Sequence, residues 1–380
     1  MVRQQYFTFF VIVAVVGCLS YGSYNLLPAN AIFELLVVGS LLFVAKRMPV
    51  KSWYIFAFCT GYFVVCMALA LSRGAHPVDF LLAYKTYFYL AILCFFSAKV
   101  LFTSDMIKLL WRSMLLLFFV KYALSIVLNV GERPGIFTEN NFEIMFLLLL
   151  GCAVWSLKSK LSALDWAMLG VVIFLSGSRS GVICFLAMMV LLYIKEMNWK
   201  TILQLGLVGI AGLGVVAIFV SRLSGGSVED IDRVVFFQLF LTAIADWQWH
   251  EFLFGSPALT PLPAQACERL AFYKTLFSAK DPTICYSVIL HSYVTRAIFD
   301  HGFIGLLSTF WVINTLLKMS DVQRRVRLSV LAILFLNGVS VSSVNSVYAV
   351  LGLIIVMTGL YPHRFELEKR KLHLLDTKSN

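Results

Sequence analysis

Three arginines in the sequence stand in contexts that suit phosphate binding. Arg179 lies in the segment Ser-Gly-Ser-Arg-Ser-Gly at 176–181, where small neighbours let backbone amides approach an anion. Arg133 lies in the segment 131–141, and Arg233 begins a predicted amphipathic helix whose N-terminus adds partial positive charge. A guanidinium matches phosphate oxygens bidentately, whereas a lysine ammonium is a point charge. These positions predict recognition of a phosphate group; the alternative for each is an arginine that reaches lipid headgroups or forms a salt bridge.

His291 is the candidate for acid–base chemistry. It lies in the segment Leu-His-Ser-Tyr at 290–293, where a long polar loop returns to an apolar helix. An imidazole with an unperturbed pKa of about 6.5 can take or give a proton near neutral pH. A structural role for this histidine is the alternative. His301 is a weaker candidate, because Gly302 and Gly305 beside it favour a packing role.

An acidic pair beside Arg233 raises the question of a metal site. Asp230 and Asp232 have the spacing of the acid pair that holds a divalent metal in many sugar transferases. Acids in the first turn of a helix also act as caps and as ion-pair partners, which is the simpler interpretation. We therefore predict neither a metal nor another cofactor.

The composition is that of a membrane protein. The 380 residues are 60% hydrophobic and only 13% charged, with a mean hydropathy of +0.87. Soluble domains carry about a quarter charged residues, so a soluble enzyme, a secreted disulfide scaffold and a disordered chain are excluded. The net charge of +11 is explained by lysines and arginines in cytoplasmic loops, and no nucleic-acid partner is predicted. The fold class is therefore an all-α polytopic integral membrane protein.

Apolar windows bounded by charged residues, proline or glycine predict about twelve transmembrane helices. We place them near 6–26, 31–45, 53–71, 80–98, 109–128, 142–157, 163–177, 180–194, 201–220, 297–316, 328–344 and 346–360. The chain then divides into helices one to nine (1–220), a periplasmic cap (221–296), helices ten to twelve (297–362) and a basic tail (363–380).

Charge placement orients these helices. With the N-terminus in the cytoplasm, nineteen lysines and arginines fall inside and ten outside, and six of the outside ones lie in the long loop 221–296. Long loops are exempt from the positive-inside rule, so the remaining bias predicts that both termini are cytoplasmic.

The long external loop has the character of an ordered cap. Ser227 precedes acids and a helical apolar pattern that extends to about 247, and a second helical stretch is predicted near 265–278. Cys267 and Cys285 are the two cysteines on the external side. Because the periplasm is oxidising, we predict a disulfide between them, with two free thiols as the alternative.

Four polar segments between about 130 and 310 occur in a recognisable order. They are Arg133-Pro134-Gly135 with Asn140-Asn141, the segment 176–181, Arg233 followed by a helix and Leu253-Phe254-Gly255, and His291 followed by Gly302-Phe303-Ile304-Gly305. In this order the segments resemble the bacterial O-antigen polymerase and O-antigen ligase superfamily of membrane glycosyltransferases. The chain departs from the family pattern at Phe237, Ser292 and Asp300, where Trp, Asn and Glu are usual.

The resemblance implies a GT-C-like fold and a metal-independent, inverting transfer of sugar from an undecaprenyl-diphosphate carrier in lipopolysaccharide biosynthesis. Arg179 and Arg233 would stabilise the charge on the leaving diphosphate, and His291 would orient or deprotonate the acceptor hydroxyl. Further contacts with diphosphate or sugar would come from Arg133, Lys85, Asn140 and Arg296. The expected partners are the lipid-linked oligosaccharide, membrane lipids and a chain-length regulator, and the expected location is the bacterial inner membrane.

Two alternatives to the polymerase stay open at this stage. The first is the ligase, which transfers finished polymer to lipid A-core and shares the same motifs. The second is a flippase or transporter of lipid-linked oligosaccharides. Transport predicts charges near the middle of several spans, and only Lys121 is clearly placed there. An enzyme is therefore favoured.

Overall fold

The computed structural model describes residues 2–20, 25–45, 48–130, 134–157, 161–194, 206 and 232–359. Regular secondary structure in these residues is helical, apart from one isolated bridge between Phe102 and Gly359. The first eight helices are α1 (Val2–Leu19), α2 (Ala29–Val44), α3 (Val50–Ser72), α4 (Pro77–Phe96), α5 (Ser104–Val127), α6 (Asn140–Trp155), α7 (Ala163–Ser176) and α8 (Arg179–Tyr193). After the gap follow α9 (Asp232–Ala243), α10 (Trp249–Phe254), α11 (Ala264–Arg269), α12 (Tyr293–Met319), α13 (Arg324–Ser340) and α14 (Val347–Thr358).

Four of the described helices, α3, α4, α5 and α12, are long and apolar enough to cross a membrane. Crossing a hydrocarbon core of about 30 Å takes about 20 residues. The other apolar helices in the described part of the chain have 10–17 residues. The apolar helices indicate a membrane-embedded protein, but the predicted count of about twelve full-length spans does not match these lengths. The predicted span near 201–220 lies outside the described residues, apart from residue 206.

Several of the shorter helices begin or end at polar capping residues, which hydropathy averaged over a window does not detect. Gly177 ends α7 with a φ of +64°, and the hydroxyl of Ser178 accepts a hydrogen bond from the backbone of Gly181 in the first turn of α8. The hydroxyl of Ser346 likewise accepts from the backbone of Ala349 in α14. These caps satisfy backbone groups that a helix leaves unpaired at its ends. Helices α7, α8 and α14 therefore have only 14, 15 and 12 residues, and α7 and α8 end close to the ends of the predicted windows.

Loops between the helices meet at two opposite ends of the bundle. At one end the backbone nitrogen of Leu101 donates to the carbonyl of Thr358. At the other end the side chain of Asn25 donates to the carbonyl of Ile136. We call this second end the site end. Hydrogen bonds to one another and to neighbouring helix ends bring four segments together there, namely 134–139, 177–181, 277–292 and 341–346.

Helices α6 and α14 form the centre of the bundle. Every residue of α14 is buried, and so are nearly all residues of α6. A helix that is apolar on all sides is expected to be enclosed by others. Gly352 of α14 lies so close to Leu149 of α6 that an added Cβ would meet the leucine side chain at 2.5 Å. This packing fixes the N-terminus of α6, with Asn140 and Asn141, at the site end.

The described part of the predicted cap contains three short helices, α9 to α11, and two 3₁₀ segments, Ala271–Leu276 and Ser287–Leu290. The helix predicted up to about 247 ends at Ala243, and its predicted start at Ser227 lies outside the described residues. The second predicted helix, near 265–278, is divided between α11 and the first 3₁₀ segment. The cap is joined to the bundle at Asp79, whose carboxylate accepts hydrogen bonds from Ser278 and Ala279.

Cys267 and Cys285 form a disulfide, the pairing that the sequence predicts. Their sulfurs are bonded and their Cα atoms lie 5.7 Å apart. The bond joins α11 to the stretch that precedes the second 3₁₀ segment, and the backbone nitrogen of Leu262 donates to the carbonyl of Cys285 beside it. The disulfide therefore ties both ends of the cap segment that lies against Asp79.

Removing this bond is expected to destabilise the cap. Closing a loop of this size contributes about 3 kcal/mol in the chain-entropy model. The double variant Cys267→Ala/Cys285→Ala should therefore have a lower Tm in detergent than the wild type, and reductant should lower the wild-type Tm in parallel. Alkylation of both cysteines in the untreated wild type, detected by mass spectrometry, would contradict the bond.

The break in α12 lies against the end of α10. At Gly302 the backbone leaves helical geometry with φ +67° and ψ −176°. A Cβ at this position would meet the carbonyl oxygen of Leu253 at 2.2 Å, and a Cβ at Gly255 would meet the backbone nitrogen of His301 at 2.5 Å. Both glycines therefore allow a close approach of two backbones, which is the packing role that the sequence favours for this region.

Candidate functional site

Several predicted site residues from distant parts of the sequence meet at the site end, around two cavities. The first has a volume of about 350 Å³ and is lined by Arg179; we call it the Arg179 cavity. The second has a volume of about 460 Å³ and is lined by Lys85, His291 and Arg296; we call it the Lys85 cavity. Residues of the stretch 288–296 line one cavity or the other. The two cavities therefore lie on opposite sides of this stretch.

Arg179 is placed by the capped turn between α7 and α8. The left-handed Gly177 and the N-cap Ser178 reverse the chain, and Arg179 follows as the first residue of α8, half-buried. The N-terminus of a helix carries partial positive charge, which adds to the charge of the guanidinium. The turn thus presents a positive end to the cavity, as an anion site requires.

The Arg179 cavity combines apolar walls with hydroxyl groups. Arg179 is the one charged side chain among the described residues that line it. Its walls include Phe236 and Phe237 of α9, and the remaining lining residues are Ile183, Leu290, Val294, Leu336 and Val339 with the hydroxyl-bearing Ser180, Ser292, Thr295 and Ser340. Such a lining suits a ligand that is apolar along most of its length and anionic at one end.

Asn140 holds the turn of Arg179 and lines neither cavity. Its side chain is buried and donates to the carbonyl of Ser176 at 2.8 Å. The neighbouring Asn141 accepts hydrogen bonds from the hydroxyls of Ser178 and Ser180. The sequence predicts Asn140 as a contact for sugar or diphosphate; in the structure its amide nitrogen donates within the protein and supports the turn.

Lys85 lines the second cavity but already has an acidic partner. Its ammonium lies 2.9 Å from the carboxylate of Glu34, which also accepts a hydrogen bond from Tyr89 at 2.8 Å. The ion pair is partly exposed, with 26% of the Lys85 side chain accessible. Part of the positive charge expected from Lys85 is thus balanced by Glu34, a partner that the sequence did not indicate.

His291 lies between the two cavities. Its side chain is exposed and lines the Lys85 cavity. The imidazole also lies 5.1 Å, between ring centroids, from Phe236, which lines the Arg179 cavity, and 6.1 Å from Tyr273. The imidazole therefore lies at one cavity and beside a wall of the other, which suits an acid or base that acts between a donor and an acceptor.

Arg296 is buried and bonded to the protein. Nη1 donates to the hydroxyl of Ser342 at 2.6 Å, and Nη2 donates to the carbonyl of Leu82 at 3.0 Å. Its exposed fraction is 5%. The sequence predicts Arg296 as a ligand of diphosphate or sugar, whereas two of its three guanidinium nitrogens bind protein acceptors.

Other predicted residues lie outside the described part of the chain. Arg133 and Asp230 are not among the described residues; Arg233 and Asp232 are described only as backbone at the start of α9, one turn before Phe236. Where the structure does describe the chain, no three His, Cys, Asp or Glu side chains are grouped so as to hold a metal ion.

Glu143 is a structural residue at the site end that the sequence did not single out. Its buried carboxylate accepts hydrogen bonds from the backbone nitrogens of Ile136, Phe137 and Thr138, at 2.5–3.0 Å, and from the hydroxyl of Tyr122 at 3.3 Å. These bonds fix the stretch that follows Arg133. The one sequence signal for this residue is that a glutamate lies in the first turn of α6, and that position indicates only a favourable interaction with the helix dipole.

His301 has a packing role. It is buried, its Nδ1 lies 2.8 Å from the hydroxyl of Tyr62, and its ring is enclosed by Tyr62, Tyr84 and Tyr87 with centroid distances of 4.7–5.6 Å. A Cβ at Gly305 would meet the side chain of His301 at 2.2 Å. His301 therefore belongs to the aromatic packing between α3, α4 and α12, and it lines neither cavity.

No protein-family model matches the chain, and no curated protein matches its sequence.

Proposed function

We propose that this protein is a membrane-embedded glycosyltransferase that polymerises surface polysaccharide repeat units carried on undecaprenyl diphosphate. The observation that carries the proposal is the placement of Arg179 and His291 at two cavities that share the stretch 288–296. One cavity joins apolar walls to a single charged side chain, and the other has several charged and polar side chains among apolar ones. This division matches the needs of a lipid-linked donor and a sugar acceptor.

The donor is assigned to the Arg179 cavity. Its aromatic and aliphatic walls would hold the first part of the isoprenoid chain, and Arg179 at the start of α8 would bind the diphosphate. Charge develops on the diphosphate as its bond to the sugar breaks, so a preorganised guanidinium stabilises the transition state more than the ground state. Arg233 and Arg133 are proposed to complete the cation cluster.

The acceptor is assigned to the Lys85 cavity. Tyr286 lines this cavity, and we assign its hydroxyl to a hydrogen bond with a sugar hydroxyl. The oxygen of the acceptor hydroxyl would bond to the anomeric carbon of the donor while His291 accepts the proton of that hydroxyl. The diphosphate would leave with the electron pair of the broken carbon–oxygen bond. Attack from the side opposite the leaving group inverts the anomeric centre. The positive charge of the arginines would neutralise the negative charge that develops on the leaving diphosphate.

The topology proposed for this function places the site end at the periplasmic face of a bacterial inner membrane, with both termini in the cytoplasm and about twelve helices within the bilayer. Helices shorter than 18 residues would lie inside the bundle or beside a locally thinned bilayer. A chain-length regulator is a proposed partner. The resemblance in sequence supports the polymerase, and the ligase shares the same motifs.

Complementation tests the proposal and separates the two enzymes. The gene is expressed in a polymerase-null strain and in a ligase-null strain, and the surface polysaccharide is separated by size. A polymerase restores a ladder of chain lengths in the first strain, where lipid A-core otherwise carries a single repeat unit. A ligase instead releases polymer from the carrier lipid in the second strain. Restoration of neither phenotype, with the protein present in the membrane, would contradict the proposal.

Chelation of divalent metals is expected to leave the reaction unchanged. In the proposed mechanism guanidinium groups neutralise the leaving diphosphate, which is the task that a divalent metal performs in other sugar transferases. Transfer by purified protein should therefore proceed at the same rate with EDTA as without it. Loss of transfer with EDTA, and recovery with Mg²⁺ or Mn²⁺, would contradict this mechanism.

A further inference from the structure

The backbone at His291 has a conformation that requires support. Its φ is +57° and its ψ is −34°, and the backbone nitrogen of Ser292 donates to the carbonyl of Leu290 at 2.6 Å. This is a tight three-residue turn with positive φ at its centre, which is rare and strained for a residue with a side chain. Such a conformation persists only where neighbouring contacts enforce it.

Contacts from the end of α13 and the residues after it enforce the turn. The hydroxyl of Ser342 donates to the carbonyl of His291 at 2.9 Å. On the other side of the turn, the backbone nitrogen of Tyr293 donates to the carbonyl of Val341 at 3.1 Å, and the hydroxyl of Ser292 donates to the carbonyl of Gly338 at 3.0 Å. The bond from Ser342 acts on His291 itself.

Arg296 determines the direction of that bond. A serine hydroxyl has one proton, and Ser342 accepts from Nη1 of Arg296 at 2.6 Å, which leaves its proton for the carbonyl of His291. Arg296 is in turn fixed by the carbonyl of Leu82, which also accepts from the side chain of Asn345 at 2.8 Å. The chain of hydrogen bonds thus runs from α4 through Arg296 and Ser342 to His291.

We infer that Ser342 and Arg296 are positioning residues that hold the imidazole of His291 between the two cavities. The inference rests on the proposed function, and it gives Arg296 a role different from binding diphosphate or sugar. A direct ligand would contribute to the affinity for substrate. A positioning residue acts through His291 and therefore contributes to the rate of the chemical step.

The first test compares kcat and KM of purified variants. The substrate, which serves as both donor and acceptor, is the lipid-linked oligosaccharide that accumulates in cells lacking this gene. Ser342→Ala should lower kcat by about 10- to 100-fold with KM for this substrate unchanged, because a small misplacement of a reacting group has an effect of this size. Ser342→Thr keeps the hydroxyl and should retain most activity. Ser308→Ala, on α12 and outside both cavities, is the matched control.

A double-mutant cycle tests the connection between the two residues. Arg296→Lys should also lower kcat, and it should add little to the effect of Ser342→Ala, because both changes break one chain of hydrogen bonds. If Arg296→Lys instead raises KM for the lipid-linked oligosaccharide while Ser342→Ala is fully active, Arg296 is a substrate ligand and the inference is wrong.

A second measurement does not depend on turnover. His291 is exposed, so diethylpyrocarbonate should modify it, and mass spectrometry gives the rate of modification. Ser342→Ala should change that rate at least about twofold, whereas Ser342→Thr and Ser308→Ala should not. An unchanged rate in Ser342→Ala would overturn the inference.

The outcomes separate this inference from the proposed function. Full activity of His291→Ala would reject the role of His291 in catalysis, and hence the proposed mechanism. An inactive His291→Ala together with a fully active Ser342→Ala would reject only the positioning role. If Ser342→Ala does not fold, Ser342→Cys keeps the volume with a weaker donor, and its kcat should lie below that of the wild type and of Ser342→Thr.

Discussion

Replacing Arg179 with lysine is expected to lower the rate of transfer by about 10²- to 10³-fold, which is the usual effect of losing one preorganised group that stabilises transition-state charge. The substitution keeps a positive charge in the Arg179 cavity. It removes the planar pair of donors that binds two phosphate oxygens together. Because the hydroxyl of Ser178 and the side chains of Asn140 and Asn141 hold the turn itself, the variant should still fold and insert.

The measurement is transfer by purified protein, together with the ladder of chain lengths in cells. Arg269→Lys is the matched control, because Arg269 is exposed and lines neither cavity. Thermal stability of each variant in detergent separates a loss of activity from a loss of fold. Wild-type chain length in Arg179→Lys would remove the diphosphate-binding role from this residue. We expect the same loss for Arg233→Lys.

Replacing His291 with alanine is expected to abolish polymer formation while binding of the donor lipid stays nearly intact. A sugar hydroxyl has a pKa far above 7, so a base assists only as the new bond forms, and this assistance is worth about 10²- to 10⁴-fold in rate. In the proposed mechanism the donor binds in the Arg179 cavity, of which the imidazole is not a lining group. The change should therefore appear in kcat and not in the affinity for donor.

Glutamine at position 291 separates the two roles that histidine has in this mechanism. It can hydrogen-bond to the acceptor but cannot take its proton, so substantial turnover of His291→Gln would reduce the role of His291 to orientation. His250→Ala is the control, because His250 is exposed on α10 and lines neither cavity. Full activity of His291→Ala would remove this residue from the site.

Local patterns in the sequence were sufficient to predict several features of the structure around the site. The small residues around Arg179 predicted a hairpin, and the structure forms it with Gly177 in the left-handed conformation and Ser178 as the cap. The glycines beside His301 predicted packing, which the close approach of α10 to α12 requires. The two external cysteines predicted the bond between Cys267 and Cys285.

Contacts between distant residues were not readable from these patterns. Lys85 is paired with Glu34, 51 positions earlier, and Asn140 bonds the carbonyl of Ser176, 36 positions later. From the sequence, Lys85 and Asn140 were predicted to contact the diphosphate or the sugar. Their partners depend on which helices lie side by side, and hydropathy carries no information on that choice, because all of these helices are apolar.

The sequence by itself determined that the protein is helical and membrane-embedded, because composition and the length of apolar runs decide how a chain partitions between water and lipid. It also determined which residue types could bind phosphate or transfer a proton. Only the tertiary structure decided which of them meet. It placed Arg179, His291 and Arg296 at the cavities, and it engaged the side chains of Asn140 and Arg296 in hydrogen bonds within the protein. It also revealed that Ser342 supports His291. The physical reason is that burial inside a bundle obliges polar groups to find partners, and the nearest partner is set by packing.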